Sequence, residues 1–225
     1  MAVIPKPAST VVLMDRQMTK TYMTKRPGTM KFLGGFYVFP GGAVEPTDNV
    51  EHCGHLLRPS PRAETFSPEY YVAAARELFE EVGIFLGCDK NGAPVSLTQD
   101  KKNSYRRELL QGNLTFLQIL KDENLHLNVD LLVYFGNFVT PESRPYRFDT
   151  RFFLARLPQG QTPEPDPKEI EETMWITPKE ALNAYQEQKI NLVPPTISSL
   201  HAILNFQQGG PLTMPSHIHM QGDLT

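Results

Sequence analysis

The sequence predicts an α/β/α sandwich with a mixed central sheet, and three observations carry that expectation. Short runs of β-branched and aromatic residues recur, among them 9–14 (STVVLM), 36–39 (FYVF) and 131–139 (LLVYFGNFV). Segments with helical periodicity stand between and after them. The composition, 40% hydrophobic and 21% charged over 225 residues, is that of a globular chain able to bury a sizeable core.

Taken in order, strands are expected at 9–14, near 21–24 and at 36–39. Pro40-Gly41-Gly42 then forces a turn where backbone approaches a ligand closely. Ser67-Pro68-Glu69 reads as a helix start, with a serine cap, proline at the first helical position and an acid in the first turn. Tyr71, Ala75, Leu78 and Val82 mark the buried face of that helix, and Gly83 suits the left-handed position just past its end. The helix therefore spans about 68–82. A polar link at 87–98 leads into mostly helical sequence over about 99–123, then strands at 131–139, at 151–155 and ending at 173–176. A helix opens at Pro178, and a last one runs near 196–206 after Pro194-Pro195. The tail from about 209 is expected to be loosely held. One domain, 1–225, accounts for the whole chain.

On the first helix, Glu77, Glu80 and Glu81 stand at i, i+3 and i+4, on one face. Like charges so placed repel, and only Arg76, four residues before Glu80, is near enough to offset them. A solvated acidic face is the ordinary alternative. Oxygen-only ligands that converge suit a hard cation, Mg²⁺ or Mn²⁺, rather than zinc.

Together the turn and the helix resemble the motif of the Nudix hydrolase family. Gly42 matches its first glycine, and Arg76, Glu77, Leu78, Glu80, Glu81, Gly83 and Ile84 match its second half. Asp48 stands where the family motif has its first glutamate, and an insertion at about 49–67 lengthens the stretch before Arg76. Asp48 is expected to shorten an orienting contact to Arg76. The resemblance implies the Nudix fold and a diphosphatase that breaks a phosphoanhydride bond in a nucleoside diphosphate-linked small molecule. It further implies a metal site of Glu77, Glu80, Glu81 and the Gly41 carbonyl, with Arg76 in a catalytic supporting role.

The segment ahead of the motif resembles the pattern of coenzyme A-cleaving members. Arg26, Gly35 and 39–42 (FPGG) match, Lys31 replaces a second arginine, and Pro27 replaces a small residue. Lysine keeps the charge but loses the bidentate fork. Arg26, Lys31, Gly35 and Gly42 are thus candidate substrate contacts. The wording of 32–42, 147–153 and 192–196 is similar to the long-insertion acyl-CoA diphosphatase branch. That likeness implies cleavage of CoA or acyl-CoA to 3′,5′-ADP and an (acyl-)phosphopantetheine. ADP-ribose, a dinucleotide or a nucleotide sugar is the alternative substrate, and a non-catalytic nucleotide sensor is a third reading.

A general base must still reach the attacking water. Glu169 and Glu172, in the acidic run before Trp175, are candidates, as is Glu77 itself. Arg147, Asp149 and Arg151 alternate and so share a strand face; contact with substrate phosphate and an internal ion-pair ladder fit equally. A net charge of −3 gives no reason to expect nucleic acid or an anionic membrane as partner, and a homodimer is left open. Two cysteines, Cys53 and Cys88, make no disulfide framework and fit a reducing cytoplasm. The histidines of 52–55 (HCGH) match no standard zinc spacing.

Overall fold

The structure, a computed structural model, describes residues 3–58 and 66–214. Its first half holds β1 (Lys6–Met14), β2 (Thr21–Lys25), β3 (Phe36–Val38), β4 (Gly41–Ala43), β5 (Leu57–Arg58) and α1 (Glu69–Val82). Then come β6 (Gly87–Cys88), α2 (Gln99–Leu110), α3 (Phe116–Asp122), β7 (His126–Asn128) and β8 (Val133–Val139). β9 (Phe148–Arg156), β10 (Glu172–Ile176), α4 (Pro178–Gln186), β11 (Asn191–Leu192) and α5 (Pro194–Gln207) complete the order.

The main sheet runs β11-β3-β2-β1-β9-β8, with β10 beside β2 and β4 beside β1. It is mixed: β1 and β9 are parallel from Lys6↔Phe148 to Met14↔Arg156, whereas β8 and β9 are antiparallel. β1 explains the sandwich. Val11 and Leu13 enter one core with Leu78, Phe79 and Phe153, while Val12 and Met14 enter a second with Leu182, Leu200 and Ile203. A strand covered on both faces needs a continuous apolar run rather than alternation, which is what VVLM supplies. Helices α1 and α3 therefore cover one face of the sheet, and α4 and α5 the other.

The helical sequence expected over 99–123 forms two helices, parted where Gly112 takes a left-handed φ of 70°. Two expectations are corrected among the described residues. The insertion, read as loop, carries structure where it is described: Leu56 is buried in the first core, and β5 joins β7 and β6 in a small second sheet. Its residues 59–65 lie outside the described set. The tail is docked as far as Met214, which is buried and donates its N–H to the Phe135 carbonyl at 2.8 Å. The rest, 215–225, lies outside the described residues.

Candidate active site

α1 carries the site, and its C-terminus is fixed by local sequence. Gly83 adopts φ 68°, its N–H donates to Phe79 O at 2.9 Å, and Ile84 N–H reaches Leu78 O at 3.3 Å. A β-carbon would resist that conformation. At the other end, Pro68 occupies the cap position without a side-chain bond, and the Ser67 carbonyl accepts from Tyr70 N–H at 3.3 Å.

Arg76 is the hub. Although only 4% exposed, its guanidinium has a partner for every edge. Nε and Nη2 grip the two oxygens of Asp48 at 2.9 and 3.0 Å, and Nη2 also donates to the Ala43 carbonyl at 2.9 Å. Nη1 donates to Glu77 at 2.8 Å and Glu80 at 3.2 Å. Burial opposes this charge, but the Asp48 hydrogen bonds and the surrounding carboxylates outweigh it and hold the group protonated. Asp48, itself buried, also accepts from Glu45 N–H at 2.8 Å, so the loop after β4 is tied to α1 through one carboxylate.

The glutamates are strained electrostatically. Burial pushes Glu77 up to about 7, against the pull of Arg76, and Glu80 and Glu169 add repulsion. Glu80 rises to about 7, also by burial against Arg76, with repulsion from Glu45 and Asp48. Glu81 is held well above the ordinary carboxylate range by burial and by Glu77 and Glu169, with Arg26 and the Gly41 N–H pulling the other way. Gly42 lies directly on Glu77: a β-carbon there would fall 2.3 Å from its Oε1. That is the close approach for which glycine is required.

Among the described residues, no three His, Cys, Asp or Glu side chains already converge as a finished metal cage, and Arg76 holds Glu77 and Glu80. The donor set nevertheless fits a hard divalent cation. It is all oxygen, Glu81 is buried and Glu77 and Glu80 are half-buried, and burial with added repulsion lifts all three carboxyls despite Arg76.

The remaining candidates divide. Glu169 lies close enough to Glu77 and Glu81 to raise both. Glu172 does not join them: it sits 3.7 Å from Lys25 and hydrogen-bonds Tyr37, whose side chain belongs to the second core. Arg26 donates to the Phe32 carbonyl at 3.2 Å and lines a cavity that Gly41 and Gly42 also border. Gly35, at φ 80°, makes the turn before β3, and Lys31 is exposed on the same turn. Arg147 is spent on the Thr140 and Val3 carbonyls at 3.0 and 2.6 Å. Arg151 pairs with Asp149 and lies over the rings of Phe66 and Tyr70, 5.7 and 5.0 Å from their centroids. Neither arginine lines this cavity, and of a ladder only the Arg151–Asp149 pair forms.

The cavity, about 1130 Å³, opens on the α5 side of the sheet. Phe32, Phe138, Tyr146 and Phe148 form much of its wall, and Phe32 packs against Tyr146 and Phe148 at 6.1 and 5.6 Å. Pro194 and Pro195 close it at the start of α5, where neither offers a backbone N–H. The sequence held only scattered aromatics here, because the wall is assembled from segments far apart in the chain. Among the described residues, neither the insertion nor α2 and α3 contributes to it.

This mixed sandwich, with an arginine-braced glutamate helix facing a glycine turn, defines a Nudix hydrolase domain. The chain belongs to that family: the family model described as "NUDT19 Nudix domain" matches residues 67–203, more than half of its length. A relative called putative nudix hydrolase 7, from Caenorhabditis elegans, is 29% identical over 86% of this chain. Acyl-coenzyme A diphosphatase NUDT19 of Xenopus laevis is 28% identical over 82% of it. The chain spans 58% and 59% of the length of these two relatives. The crystal structure of a Nudix hydrolase from Alicyclobacillus acidocaldarius superposes with a TM-score of 0.78 at 27% identity, covering 95% of this chain and 99% of that one.

Proposed function

We propose that this domain hydrolyses the diphosphate of coenzyme A or an acyl-CoA, with a divalent cation, Mg²⁺ or Mn²⁺, as cofactor. The observation that carries the reading is the junction of two environments: buried Glu81 and half-buried Glu77 and Glu80 meet a large aromatic cavity at Arg26, Gly41 and Gly42. A charged diphosphate fits the first and an organic group the second. The acyl-CoA diphosphatase relatives and the Arg26-to-Gly42 pattern favour CoA as that compound.

Glu77, Glu80, Glu81 and backbone oxygen at Gly41 would hold the cation. When bound, it supplies positive charge that offsets the diphosphate's own. The protein's groups do the rest. Arg26, beside Glu81, faces the diphosphate from the cavity rim. Arg76 and Asp48 fix the α1 carboxylates in register with the glycine turn. Glu169 takes the proton of the attacking water. A new P–O bond forms as the anhydride P–O bond breaks, releasing 3′,5′-ADP and the (acyl-)phosphopantetheine.

The test is a hydrolysis screen with Mg²⁺ over CoA, acyl-CoAs, ADP-ribose, NADH and nucleoside triphosphates, with products identified by mass. CoA species should be consumed fastest. Intact CoA beside consumed ADP-ribose would overturn the substrate assignment.

A further inference from the structure

α2 has a thin apolar anchor: Leu109 enters the first core and Tyr105 packs against it. Of its 12 residues only Leu109 is buried. Its Gln99, Lys102 and Arg106, at i, i+3 and i+7, share a face that is bonded to the catalytic elements instead. Arg106 donates to the Glu80 carbonyl at 2.8 and 3.1 Å and to the Glu81 carbonyl at 3.2 Å, at the end of α1. Lys102 and Gln99 reach the Glu164 carboxylate at 2.6 and 2.8 Å. A β-carbon on Gly83 would fall 3.3 Å from both Lys102 Cδ and Arg106 Nη1, so α2 lies directly on the α1 terminus.

The segment leading to Glu169 meets the same terminus. Glu164 N–H donates to Val82 O and Asp166 N–H to Glu81 O, each at 2.8 Å. Gln161, buried, clamps Phe85 with both ends of its amide, accepting from the N–H and donating to the carbonyl at 2.8 Å each. Of the four carbonyls that α1 leaves orphaned at its C-terminus, Gly83 N–H takes that of Phe79, and α2 or this segment takes those of Glu80, Glu81 and Val82. A fastening is needed. Glu169 sits against the like charges of Glu77 and Glu81, and a free loop would carry it away from them.

We propose that α2 and Gln161 form a brace that sets Glu169 against Glu77 and Glu81. In it, Arg106, Lys102 and Gln161 are positioning residues. The brace rests on the proton-accepting role given to Glu169 above.

Its test compares Gln161→Ala and Lys102→Met in the wild-type and Glu169→Gln backgrounds, using the best substrate of the screen with saturating Mg²⁺. Gln161→Ala should lower kcat about tenfold or more with KM nearly unchanged, and Lys102→Met about threefold. In the Glu169→Gln background neither should lower kcat further, because the group they position is already disabled. Equal losses in both backgrounds, or a Glu169→Gln enzyme with full kcat, would overturn the brace. Failure to cleave CoA alone would overturn only the substrate assignment. Amide hydrogen exchange gives a readout independent of turnover. The Glu164 and Asp166 amides should exchange at least about tenfold faster in both single variants, a loss of roughly 1.4 kcal/mol of local protection. Unchanged protection would also sink the proposal.

Discussion

Asp48 and Gly42 act on the same carboxylates by different means, one through charge and one through space. Asp48 takes Nε and Nη2 of a buried guanidinium, so Asp48→Ala strips Arg76 of its bidentate carboxylate and leaves Nε without its partner. The expected loss is about 3–5 kcal/mol in urea unfolding, with turnover falling as well. Asp48→Glu keeps the charge and adds a methylene, so its loss should be smaller, about 1–3 kcal/mol. An alanine-sized loss for glutamate would mean that fit, rather than charge, fixes Arg76. At Gly42, a β-carbon would overlap the Glu77 carboxylate. Gly42→Ala should lower kcat about a hundredfold by displacing that side chain, while Tm changes little. Kinetics beside a melting curve would check it, and full activity would show that Glu77 tolerates displacement.

Among the elements, those built by local rules were legible in the sequence. α1 has a 3.6-residue pattern and a glycine stop, and both are properties of neighbouring residues. β4, β11 and the three strands of the small sheet were not legible, because each has only two or three residues and exists through a partner distant in sequence. The split between Glu169 and Glu172 was hidden too. Both stand in one acidic run, and only the registry of β10 on β2 turns Glu172 toward Lys25 and Tyr37. α2 gave a signal, a helix poor in apolar residues with a polar i, i+3, i+7 stripe, that ordinary hydrophobic periodicity passes over. The docking of residues 209–214 was hidden for a related reason: their glycines and proline suggest looseness, yet Met214 fills space left by Gly136, whose β-carbon would lie 2.6 Å from that of Met214. Met214→Ala should therefore cost about 2–4 kcal/mol in urea unfolding while kcat per folded molecule stays unchanged. A neutral result would show that the tail contributes no packing.

For the molecule as a whole, the concentration of acid on α1 sets stability against function. Glu77 and Glu80 lie near 7 in the folded protein, Glu81 is held well above the ordinary carboxylate range, and all three lie near 4.5 when the chain is unfolded. The folded state therefore binds more protons between those values, and stability falls as pH rises from about 4.5 through 7. Acids paired on the surface, such as Glu123 with Lys101 and Glu164 with Lys102, act with the opposite sign. Their pKa is lowered, and their contribution is lost on acidification below that window. Because the three glutamates share their repulsion, their penalties do not simply add, and the loss is on the order of a few kcal/mol. The metal-free protein should melt about 5–10 °C lower at pH 7.5 than at pH 5. Mg²⁺ should reverse most of this at pH 7.5 and little at pH 5, since protonated carboxyls do not hold the ion. Glu81→Gln should raise the metal-free Tm at pH 7.5 and weaken the response to Mg²⁺, exchanging activity for stability. A Glu81→Gln protein that melts lower than wild type at pH 7.5 without metal would mean that this carboxylate is already satisfied within the fold, and the case for a cation site there would fail with it.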